Sequence, residues 1–204
     1  MKTVLCYGDS NTFGFNPIDG SRYDENIRWS GILKELLKDK YEIIEEGMNN
    51  RTAIANNSDG FLFCANRHFP KLLSKIKYVD ILIFALGTND LQFQYDLSLH
   101  KIVKGIENLI SDIGKKAGKI ILVPPVILDE NILKGNFKIQ FDESSISKSR
   151  KLKDLYKKIS IYYNTYFLDF NEFTKPSAID GLHYSKDSHK LIAEKLAEYI
   201  EKIS

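Results

Sequence analysis

VDILIFALGTND, residues 79–90, is the stretch whose reading decides the fold. The apolar run from Val79 to Leu86 suits a strand buried on both faces, and such strands belong to parallel sheets covered by helices. The run breaks at Gly87-Thr88-Asn89-Asp90, four polar or flexible residues at a strand end. Other apolar runs, at 3–7, 42–46, 119–123 and 166–169, predict four more strands. Between them, helical spacing marks 29–39, 60–77, 97–116 and 144–163. A last helix spans 186–203, where Leu191, Ile192, Leu196, Ile200 and Ile203 recur at helical intervals.

Strand and helix alternating five times predicts a single domain over 1–204, of the α/β class. The expected form is a three-layer α/β/α sandwich around a five-stranded parallel sheet. Sites in such sheets form at the carboxyl ends of strands. The polar clusters fall there: GDSN after the first strand, EEGMNN after the second, GTND after the third, DGLH after the fifth. Residues 128–149 show no clean period and predict a long excursion after the fourth strand, either a wall over the site or a plain surface loop.

The 204 residues are 43% hydrophobic and 27% charged, as in soluble globular proteins. Twenty-nine Lys and Arg against 27 Asp and Glu leave a net charge of +2, with no broad basic footprint for nucleic acid. No apolar run has membrane-spanning length. The five-residue run after Lys2 is too short for a signal core, which needs about 7–15 residues, so the cytoplasm is the expected location. Cys6 and Cys64 form no disulfide framework. No HExxH, paired CxxC or phosphate loop is present, and the chemistry read here needs no cofactor or metal.

Ser10, in GDSN, is either a turn serine or a nucleophile at a strand tip. A serine nucleophile needs a base, and histidine is the usual one. His68, His100 and His189 fall in helical patterns. His183 lies between the last strand and last helix, with Asp180 three residues upstream, so one turn can aim a carboxylate at the imidazole and leave the other ring nitrogen for Ser10. We expect this histidine in an exposed loop. The N–H of Ser10 at a helix start, the N–H of Gly47 at a strand end and the side-chain amide of Asn89 are candidate donors for an oxyanion. Each motif alone also reads as a turn or a helix cap.

In this order the four blocks resemble the SGNH hydrolases, the GDSL-like esterases and lipases. The resemblance spans Gly8 to His183. It implies a flavodoxin-like fold, with Ser10 as nucleophile, His183 as base and acid, Asp180 as its partner, and Ser10, Gly47 and Asn89 as the oxyanion hole. Asn11 stands where the family's eponymous leucine would be. GDSNTFGF, IRWSGIL, EEGMNNRTA and LGTNDL are similar to the arylesterase and acyltransferase branch. That likeness implies hydrolysis of small acyl esters, such as acetyl or aryl esters and acetylated carbohydrates. For some members it implies transfer to alcohols and assembly into oligomers. A thioesterase, a lysophospholipase and a noncatalytic ligand-binding protein are the alternatives on the same fold. Phe13 and Phe15 are candidate walls of an acyl pocket, with Asp9 and Asn11 beside them at the substrate. Asp9 and Asp90 also suit turn and cap roles, and Arg51 suits holding the Gly47 loop or pairing with Asp9 or Glu46.

Overall fold

In the computed structural model, which describes residues 1–55 and 63–204, the run that opens at Val79 is the central strand. Five strands, β1 (Lys2–Gly8), β2 (Tyr41–Gly47), β3 (Val79–Ala85), β4 (Ala117–Val123) and β5 (Tyr166–Phe167), form one parallel sheet in the order β2-β1-β3-β4-β5. Ile81, Leu82, Ile83 and Phe84 of β3 are all buried. Burial of each such side chain contributes about 1.5–3 kcal/mol. Asp80, the one charge in this run, sits at the opposite end of the sheet from GTND and accepts from the Thr3 N–H at 2.7 Å, fastening β1 to β3.

Among the described residues, six α-helices complete the layers: α1 (Ser10–Phe13), α2 (Trp29–Leu37), α3 (Ala65–Lys75), α4 (Leu99–Ile113), α5 (Glu143–Tyr162) and α6 (Lys186–Ile203). α2 packs on α6, while α3, α4 and α5 pack in sequence. This grouping follows from right-handed crossovers: α2 leads toward one edge of the sheet, and α3, α4 and α5 lead toward the other. The chain reverses direction across the sheet between β1 and β3, so the crevice beyond these two strands is the natural site. Among the described residues no helix is long and apolar enough to cross a membrane.

The sequence reading and the structure agree on five strands and on the longer helices, with differences at the ends. The helix expected over 60–77 spans Ala65–Lys75 in the described residues, and 60–62 lie outside them. The last strand was expected over 166–169 but stops at Phe167. Asp169 ends the pairing because its carboxylate accepts from the Asn171 N–H at 2.9 Å and starts a 3-10 turn, Phe170–Glu172. The excursion expected over 128–149 is two 3-10 turns, Glu130–Leu133 and Asn136–Ile139, followed by the start of α5. There Asp142 and Ser145 exchange side-chain and backbone hydrogen bonds in a capping box.

Candidate active site

β1 delivers Ser10 to the crevice. Asp9 follows the strand and accepts from the Asn11 N–H at 3.0 Å, and its carbonyl takes the Thr12 and Phe13 N–H groups. Among the described residues no partner stands on the Ser10 N–H, the first of the helix and thus an orphan donor. Gly47, at the end of β2, lies flat against α1. A Cβ there would stand 2.2 Å from the Phe13 nitrogen, so only glycine permits this approach.

The Asp180–His183 loop meets Ser10 from the other end of the chain. His183 Nε2 is 2.9 Å from Ser10 Oγ, and its Nδ1 is 2.6 Å from Asp180 Oδ2. The carboxylate can only accept, so it fixes the ring proton on Nδ1 and leaves Nε2 to accept from the serine hydroxyl. The second oxygen of Asp180 takes the Leu182 and His183 N–H groups, each at 2.9 Å. Burial pushes the Asp180 carboxyl upward, but the His183 ring and these backbone donors outweigh it and hold the group below its ordinary value. The arrangement can move a proton from the Ser10 oxygen to His183 while the carboxylate faces the ring throughout.

His183 was expected in an exposed loop; it is 2% exposed. Phe15 and Phe137 cover it. Their ring centres lie 4.1 and 5.2 Å from the imidazole and 6.2 Å from each other, so the three rings form a triangle. Phe137 comes from the 3-10 turn Asn136–Ile139, so the excursion after β4 is a wall over the site. It is anchored at Gly181, whose carbonyl accepts from the Asp129 N–H at 3.0 Å. Gly181 has φ +69°, and a Cβ there would stand 2.6 Å from the Ile132 nitrogen, so both conformation and contact exclude a side chain.

Asn89 stands at the end of β3, buried, in the 3-10 turn Asn89–Leu91. Its Nδ2 donates to the Arg51 carbonyl at 3.1 Å, and its Oδ1 accepts from Gln92 Nε2 at 3.1 Å. Next to it, Asp90 accepts from three successive N–H groups, those of Ala53, Ile54 and Ala55, at 2.6, 2.8 and 2.9 Å. Burial raises the Asp90 carboxyl against these donors. Arg51 holds the β2 loop to the site, as one of its expected roles required: it donates to the carbonyls of Gly8 and Glu46 and lies over the Tyr7 ring.

Asp9 and Asn11 were expected at the substrate, and the structure gives their side chains internal partners instead. Asp9 is buried, which raises its carboxyl, and it accepts from the Asn11 N–H at 3.0 Å. Asn11 donates to the Leu182 carbonyl at 3.2 Å and accepts from the Tyr184 N–H at 3.1 Å, so it clamps both sides of His183. Phe13 is half-buried beneath the Arg22 guanidinium, 4.7 Å from its ring centre.

Sequence reasoning missed Phe137, Gln92 and His189. Phe137 lies in a stretch with no period to read. Gln92 stands three residues after Asn89, a spacing that brings side chains together on a turn. His189, read only as a histidine in a helical pattern, is fully buried in α6 and accepts the Trp29 N–H at 3.2 Å, while the Trp29 indole donates to the Asn11 carbonyl at 2.9 Å.

A family model described as GDSL-like Lipase/Acylhydrolase matches residues 4–196. The chain belongs to this family. As a GDSL-like acylhydrolase it is a carboxylic ester hydrolase, and it lies near the arylesterase branch. The inhibitor-bound aryl esterase of M. smegmatis is 26% identical, with all of each chain covered and a TM-score of 0.87. A carbohydrate acetylesterase family member from Sinorhizobium meliloti is 27% identical over 99% of this chain and 98% of that one, with a TM-score of 0.89. A second carbohydrate acetylesterase of that organism, Est24, is 27% identical over all of each chain, with a TM-score of 0.87. No curated sequence matches the chain.

Proposed function

We propose that this GDSL-like acylhydrolase is a serine esterase that cleaves short acyl groups, acetyl above all, from aryl or carbohydrate alcohols. The continuous hydrogen-bond chain from Asp180 through His183 to Ser10 carries the reading. Ser10 Oγ attacks the ester carbonyl carbon as its proton passes to His183 Nε2. The carbonyl electron pair moves onto oxygen, where the N–H groups of Ser10 and Gly47 and the Asn89 amide receive it. Such donors, aimed at developing charge, contribute roughly 2.7–4 kcal/mol each as judged by removal. Collapse expels the alcohol, which takes the proton from Nε2 and leaves an acyl-serine. Water then attacks the acyl carbon, gives its proton to Nε2, and releases the acid as Ser10 recovers a proton. An acceptor alcohol in place of water gives acyl transfer by the same steps.

Phe15 and Phe137 support the short acyl group, because both press close to His183, the residue that meets Ser10. The names of the aryl esterase and the two carbohydrate acetylesterases point to the same substrates. A fluorophosphonate probe tests the reading. It should label the native protein on Ser10, identified by peptide mass spectrometry, and leave Ser10→Ala unlabelled. A native protein that the probe never modifies at Ser10 would contradict it.

A further inference from the structure

The geometry points to Gln92 as a positioning residue for the oxyanion hole: it holds the carbonyl end of the Asn89 amide, so that the NH2 end faces the reacting ester. This rests on the proposed role of Asn89. An Asn side chain can present either its NH2 or its carbonyl, and only the NH2 stabilises an oxyanion. Gln92 and the Arg51 carbonyl together remove the choice, one donating to Oδ1 and the other accepting from Nδ2. Its Nε2 donates to Asn89 Oδ1 at 3.1 Å and to Asn50 Oδ1 at 2.9 Å. Both amide hydrogens of Gln92 are thereby used, each on a carbonyl oxygen. Gln92 is itself held in this orientation, because its Oε1 accepts from Gln94 Nε2 at 2.8 Å. Asn89 Oδ1 is therefore occupied by a donor. Asn89 Nδ2 gives one hydrogen to the Arg51 carbonyl at 3.1 Å and keeps one for the ester oxygen.

The relay runs from exposed Gln94, through Gln92 at 2% exposure, to buried Asn89. It also ties two blocks together, since Asn50 belongs to the loop after β2 and Asn89 to the end of β3. Removing the Gln92 donor leaves the buried Asn89 carbonyl unsatisfied and the amide held only by the Arg51 carbonyl, so its NH2 is no longer fixed toward the ester oxygen from both ends.

The test is a double-mutant cycle with p-nitrophenyl acetate as substrate. Gln92→Met should lower kcat about 10–100-fold, a loss short of that from deleting an oxyanion donor outright, with KM changed less than about threefold. Gln92→Glu, equal in shape but lacking the NH2, should lower kcat at least as far, and it carries the cycle if Gln92→Met does not fold. In an Asn89→Ala background, either substitution should cost no more than about twofold further. The same fold-loss in both backgrounds, or a rise in KM alone, would overturn the role of Gln92 while leaving that of Asn89 intact. An Asn89→Ala variant with undiminished kcat would overturn both.

Discussion

Ser10 Oγ and His183 Nε2 stand 2.9 Å apart although 173 residues separate them in the chain. Asn11 maintains this closeness. The residue next to Ser10 holds the backbone on both sides of His183, through Leu182 and Tyr184. Asn11→Ala removes both bonds and leaves a buried carbonyl and a buried N–H without partners, at about 1–3 kcal/mol each where burial is complete. The variant should unfold at lower denaturant concentration and lose more than tenfold in kcat with folded protein still present. Asn11→Ala with wild-type kcat would show that the two loops meet without the clamp.

Asp180 has a separable effect. Asp180→Asn keeps the shape but can place its NH2 toward Nδ1, which favours the ring tautomer with the proton on Nε2. That tautomer cannot accept from Ser10. In serine proteases the corresponding change costs about 10⁴ in kcat, and a loss of 10²–10⁴ is expected here. Steady-state kinetics at neutral pH measure it, and a loss under threefold would remove Asp180 from the proposed mechanism.

Most of the candidate site is legible in sequence because each residue follows a strand or precedes a helix, where polar residues interrupt an apolar pattern. Ser10, Gly47, Asn89 and His183 all stand out for that reason. The fold is legible for the same reason, since runs such as residues 81–86 are apolar on both faces. The exposure of His183 was misread because its cover comes from residues with no periodic signature. Phe137 sits in a 3-10 turn, and no local rule brings it to a histidine 46 positions on. The inward roles of Asp9 and Asn11 were obscured because a polar residue at a strand tip looks the same in sequence whether it faces substrate or a neighbouring loop.

The aromatic cover should set acyl size. Phe137→Ala opens the side of the site next to His183. Its kcat/KM for p-nitrophenyl butyrate relative to acetate should rise severalfold over that of the native protein, because each buried methylene gains about 0.8 kcal/mol once there is space for it. An unchanged ratio would place the acyl group elsewhere.

His189 predicts a pH effect on stability. Burial drives its pKa from 6.5 down to about 3, with the charge of His183 adding to the effect. The folded state thus keeps the ring neutral, while the unfolded chain takes up a proton below about pH 6.5. Stability from this residue is complete above pH 6.5 and is lost as pH falls toward 3, at up to about 1.4 kcal/mol per pH unit. His189→Asn retains an oxygen acceptor for the Trp29 N–H but cannot take the proton. Urea unfolding at pH 7 and pH 5 should show a smaller stability difference for His189→Asn than for the native protein. Equal differences would mean that His189 is protonated in the fold.

The most direct measurement is hydrolysis of p-nitrophenyl acetate, butyrate and octanoate by the native protein and Ser10→Ala. The account predicts that the native protein cleaves the acetate best, and that Ser10→Ala falls to background on all three esters. Equal, feeble rates for both proteins on every ester would contradict it.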